Sequence, residues 1–87
     1  MSITDEAKEI VLGARRQDYG DIQESFQRIA GMWSAYLDKH IDSLDVAKMM
    51  ILLKVSRAKN NNHRDSFVDI VGYVECAEQL MNSNEYV

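Results

Sequence analysis

The sequence predicts an all-α protein, a compact four-helix bundle whose last two helices form an antiparallel hairpin. Three observations carry that expectation. The 87 residues contain no proline and only four glycines, so little in the chain interrupts helical hydrogen bonding. Apolar residues recur at spacings of three and four along successive segments. The breaks between those segments are short and hold residues that start or stop helices. A chain of this length makes one domain, residues 1–87. Such a chain buries only about 60–65% of the surface its unfolded form exposes. Its own core is therefore thin, and a homo-oligomer is expected.

The first helix is expected from about Thr4 to Asp18, with Ala7, Ile10, Val11 and Ala14 as its inward stripe and Gly20 as its end. The pattern restarts at "DIQE", where Asp21 can cap a second helix and Glu24 can reach back to complete a capping box. Ile22, Phe26, Ile29, Trp33 and Leu37 form the stripe of this helix. The segment "KHIDSLD" breaks it, with Asp42 or Ser43 as the cap of a third helix from about Leu44 to Lys59. The short loop "NNNH" follows, and a fourth helix begins near Asp65 and fades into "NSNEY". Connections this short make the third and fourth helices antiparallel neighbours.

Charge and composition exclude several classes of function. Ten basic residues against fourteen acidic give a net charge of −4, which disfavours duplex nucleic acid and anionic membrane as partners. A small ligand bringing its own cation remains compatible. The longest apolar runs, such as Val46 to Val55, are broken by Lys48 and Lys54 and fall short of the ~20 residues that span a bilayer. The start "MSITDEAKEI" lacks the basic-then-apolar order of a secretory signal, so a cytoplasmic location is expected. Cys76 is the sole cysteine and has no zinc-site spacing with His40 or His63, which makes it a buried, inert thiol. His40 and His63 fall near helix ends and read as surface residues. Neither a nucleophilic triad nor a glycine-rich phosphate loop can be assembled.

The fourth helix poses the main question. Phe67, Ile70, Val71, Val74, Ala77 and Met81 share one side, which reads as core. Asp65, Asp69, Gly72 and Cys76 share the opposite side, with Tyr73 and Leu80 beside them. A face holding a small residue, a thiol and a leucine suits the approach of another element or a ligand. The third helix, "VAKMMILLKVSR", is apolar nearly all round yet carries Lys54 and Arg57 on the side of Ala47, Met50 and Ala58. In the antiparallel hairpin these two cations come level with the two aspartates, so all four charged groups can meet. One reading is a set of half-buried ion pairs that fix the hairpin register, because an unpaired buried charge costs several kcal/mol. The other is that Asp65 and Asp69 hold Mg²⁺ through oxygen while Lys54 and Arg57 hold the phosphates of a nucleotide.

A second cluster lies in "ARRQDYGDIQESF". Arg16 and Tyr19 beside the open start of the second helix are workable parts for a phosphate and a base, Arg15 less so. The simpler account is that arginines suit a helix C-terminus and that Tyr19 packs across the turn. Trp33 and Tyr36 are more naturally core or subunit contact than a stacking platform.

The motifs "RRQDYG", "F..IAGMWSAYL", "DVAKMMILLKVSR" and "DSFVDIVGY" together resemble a family of small proteins of bacteriophages and prophages, over about residues 15–77. That family looks like a compact, distant relative of the MazG-like all-α nucleoside triphosphate pyrophosphohydrolases. The resemblance implies an oligomeric bundle that holds Mg²⁺ on helix-borne carboxylates and splits a nucleotide between its α and β phosphates. It places metal binding on Asp65 and Asp69, completed by Glu24 or Asp45. Charge stabilisation on the phosphates falls to Lys54 and Arg57, and nucleotide recognition to Arg16, Tyr19 and Tyr73. Those enzymes also supply a dense glutamate motif from an earlier helix, where this chain offers Asp21 and Glu24. The expected function is thus nucleotide binding or Mg²⁺-dependent hydrolysis. A non-catalytic module that sequesters a nucleotide and a structural oligomer that binds a protein partner are the alternatives.

Overall fold

The computed structural model describes residues 1–13, 21–60 and 62–82. Among them it contains four helices: α1 (Ile3–Leu12), α2 (Ile22–Leu37), α3 (Ser43–Arg57) and α4 (Arg64–Met81). They pack as an all-α bundle, with α4 laid against both α3 and α1.

Local chemistry sets most of the boundaries. The Ser2 hydroxyl accepts from the Asp5 N–H at 3.1 Å and starts α1. The helix stops at Leu12, earlier than its expected end near Asp18, with the Gly13 N–H donating to the Glu9 carbonyl at 2.9 Å. A Cβ at Gly13 would lie 2.6 Å from that carbonyl oxygen, so this close approach requires glycine. The remainder of the expected helix, including Ala14 and Asp18, lies outside the described residues.

Asp21 caps α2 by accepting from the Gln23 N–H at 2.7 Å. The reciprocal capping box forms at the start of α3, where Asp42 accepts from the Asp45 N–H at 2.7 Å and Asp45 accepts from the Asp42 N–H at 3.1 Å. This occupies Asp45, the alternative third carboxylate for a metal. Helix α2 ends at Asp38, which adopts the left-handed region with φ 54°. The turn after it is fastened by Ser34, whose hydroxyl accepts from the Ile41 N–H at 2.8 Å and donates to the Ile41 carbonyl at 3.0 Å. His63 precedes α4 without a side-chain cap bond, and its Nδ1 instead meets the hydroxyl of buried Ser66 at 2.9 Å.

The core gathers Val11, Phe26, Ala30, Val46, Ala47, Cys76 and Leu80, with Ile29 and Trp33 partly buried against it. Leu37, expected on the inward stripe of α2, is exposed at the helix end. A larger departure concerns α4. Of the side expected as core, Phe67, Val74 and Met81 are exposed and Ile70, Val71 and Ala77 only partly buried, while Val68, Gly72, Cys76 and Leu80 are buried. Close approach explains the reversal. At Gly72 the helix lies against α1, where a Cβ would sit in ordinary contact 3.5 Å from Val11 Cγ2. The inward side combines small Gly72 and Cys76 with fully packed Val68 and Leu80, while Phe67, Val74 and Met81 are left outside. Arg64 at the start of α4 ties the hairpin to α1 through an ion pair with Glu6 and a 3.0 Å bond to the Met1 carbonyl. Among the described residues, no helix is long and apolar enough to cross a membrane.

Candidate functional site

The burial of Asp69 is explained by where its helix puts it. In the second turn of α4, Asp69 faces inward from beside Gly72, while Lys54 reaches toward it from the last turn of α3. Lys54 Nζ and Asp69 Oδ2 stand 3.0 Å apart, and each side chain keeps 17% of its accessible surface. The pair is therefore neither a freely hydrated surface bridge nor a dry interior one.

Beside this pair all four helices border a cavity of about 400 Å³. Ile10 and Val11 of α1, Phe26 and Trp33 of α2, Met50 of α3 and Tyr73 of α4 supply much of its wall, and Cys76 lies in it as well. The Phe26 and Tyr73 rings are 6.5 Å apart between centroids and tilted by 49°. The result is a mostly apolar chamber with a cation and an anion set into one side.

Of the residues expected to form a site, Lys54, Asp69 and Tyr73 come together in this wall. Arg57, Asp65 and Glu24 do not line it, and all three are exposed. The expectation that four charged groups meet is thus met by one pair: among the described residues the ion pairs are Lys54–Asp69 and Arg64–Glu6. Arg57 turns outward because it lies three residues past Lys54, about 60° short of a full turn of the helix. Arg16 and Tyr19 lie outside the described residues. Phe26 and Trp33 are wall residues that the sequence presents as core, or for Trp33 as a subunit contact, rather than as a site. Their spacing of seven on one helix face was the available signal, and it does not distinguish filled core from cavity lining.

The fit to a divalent cation can be judged from the same geometry. Among the described residues, no group of three or more His, Cys, Asp or Glu side chains is placed to hold a metal ion. Asp69 already faces a lysine, and Asp65 and Glu24 do not complete a group of three with it.

A small helical domain with one charged pair in an apolar chamber is the class that the fold and site define. Residues 2–81 match the family model described as "Domain of unknown function (DUF6378)", and the chain belongs to that family. Similar proteins include the "Gene 55 protein" of Mycobacterium phage D29, 45% identical over 80 residues, covering 91% of this chain and 53% of that protein. The "Gene 55 protein" of Mycobacterium phage L5 is 48% identical over 82 residues, covering 92% of this chain and 53% of that protein. The family is thus one with phage-encoded members, as the sequence motifs suggest. The chain spans about half the length of these curated relatives. No solved structure matches it.

Proposed function

We propose that this domain binds a nucleotide or nucleotide-like small molecule in the chamber between its four helices. The observation that carries the reading is the Lys54–Asp69 pair set into the wall of an apolar cavity of about 400 Å³. Small-molecule sites have this composition, roughly 300–1,000 Å³ of apolar space with a few placed polar groups. Phe26, Trp33 and Tyr73 offer ring surface to a base, and Lys54 offers a cation to a phosphate. A phosphate entering beside Asp69 would compete with that carboxylate for Lys54, and a cation carried in by the nucleotide would offset the charge of Asp69. Arg16 and Tyr19 remain candidates for further recognition, because the ends of α1 and α2 that their segment joins both border the chamber.

The finer reading, a MazG-like Mg²⁺-dependent pyrophosphohydrolase, is favoured by Asp65 standing one turn from Asp69 on α4. It assigns metal binding to Asp65, Asp69 and Glu24, and charge stabilisation to Lys54 and Arg57. It needs further donors beyond the described side chains.

A thermal-shift series with nucleoside mono-, di- and triphosphates, with and without Mg²⁺ and with pyrophosphate release followed in parallel, tests both. A ligand at a hundredfold excess over its Kd should raise Tm by about 10 °C or more in a domain of this size. The shift should be lost in Lys54→Met. Stabilisation without pyrophosphate supports a binding module, and stabilisation with it supports the hydrolase. No shift with any nucleotide would return the pair to a purely structural role.

A further inference from the structure

The outward side of the α3–α4 hairpin carries an apolar seam that a single chain leaves in water. On α4, the exposed Phe67, Val74 and Met81 recur every seven residues, flanked by half-buried Ile70 and Ala77, the spacing with which helices pair across a shared seam. Phe67, Val74 and Met81 are 42%, 51% and 49% exposed. On α3, Lys48, Leu52 and Val55 fall on one stripe, with Leu52 67% and Val55 53% exposed. Single exposed apolar residues are ordinary, but two such rows on neighbouring antiparallel helices form a patch.

Charge indicates what covers it. Lys48 on the α3 row and Glu78 beside the α4 row are both exposed, and the ion pairs among the described residues use neither. A two-fold axis running along the hairpin lays α3 of one copy antiparallel on α4 of the other without changing their levels. Lys48 then comes within about one turn of Glu78 of the second copy, and the contact occurs twice. The same operation sets Leu52 and Val55 against the α4 row of the second copy. Opposite charges that pair twice across one end of a self-complementary apolar seam fit a second copy of this chain better than an unrelated partner.

We propose that this face is the interface of a two-fold homodimer in which α3 of each copy packs on α4 of the other. Sedimentation velocity of the full chain over the micromolar range should give the dimer mass. Val74→Glu changes a half-exposed side chain, so it should leave helicity by circular dichroism intact while weakening dimerisation about a hundredfold. Leu52→Lys, at a more exposed position, repeats the test should Val74→Glu lower helicity. Lys48→Glu and Glu78→Lys should each weaken the dimer about tenfold, and the double swap should recover it. A monomeric wild type throughout that range would overturn the proposal and leave the face to another partner. So would a dimer undiminished by Val74→Glu with Leu52→Lys, or a double swap that recovers nothing.

Discussion

Lys54 and Asp69 are held together by partial burial as much as by charge. With each side chain 17% exposed, water still screens the pair, so its attraction falls below that of a dry ion pair. Removing one partner leaves the other half-buried beside apolar walls. Asp69→Asn should therefore cost about 1–3 kcal/mol in chemical denaturation, below the range for fully buried pairs. Combined with Lys54→Met, the loss should shrink, because the stranded cation is gone; a double-mutant cycle reads that coupling. Two backbone positions run the other way. Asp38 holds a left-handed conformation with φ 54°, and Asp38→Gly should gain about 0.5–1 kcal/mol by relieving it. Gly31 lies inside α2 with open space where its Cβ would be, so Gly31→Ala should gain a similar amount, seen as a raised Tm.

Each helix rests on a different mixture of local and tertiary support. Helix α3 is apolar nearly all round and gains little from amphipathic pattern, so its register depends on its ends. The Asp42–Asp45 box closes the first turn, and Ser34 holds the preceding loop by both backbone groups of Ile41. Asp42→Ala should cost about 1–2 kcal/mol. Ser34→Ala should cost about 1–3 kcal/mol by leaving part-buried polar groups of Ile41 unsatisfied. Equilibrium denaturation of both variants would check these values, and a neutral result at Ser34 would mean water replaces the hydroxyl. Helix α4 lacks a side-chain cap and relies instead on packing against α1 and α3.

At the scale of the molecule, a thin core makes single large side chains decisive. Leu80 is fully buried, and Leu80→Ala should cost about 2–5 kcal/mol, a large share of the ~5–15 kcal/mol typical of a folded domain. Loss of a cooperative melting transition in that variant would express the same vulnerability. Gly72→Ala has the opposite sign. Its new methyl would meet Val11 at an ordinary 3.5 Å, so the helix gains about 0.5–1 kcal/mol while the chamber loses space. A variant that melts higher yet binds nucleotide less tightly would locate the ligand beside Gly72.

The sequence by itself determined the helical class, the antiparallel hairpin, the cap at Asp21, a cap at Asp42 or Ser43 and the buried thiol of Cys76, because these follow from periodicity, loop length and local hydrogen bonding. Its motifs also pointed to a phage-encoded family. Of the candidate site it marked Lys54 and Asp69, since charges on otherwise apolar helices invite a question about their partners, and Tyr73 through the family resemblance. Tertiary structure decided which of the marked cations turned inward and which face of α4 became core. Hydrophobic pattern ranks side chains by size and polarity, whereas packing selects the face that lets another helix come close. Gly72 and Cys76 won that contest over Phe67, Val74 and Met81. The same choice opened the chamber on one side of α4 and left an apolar seam on the other.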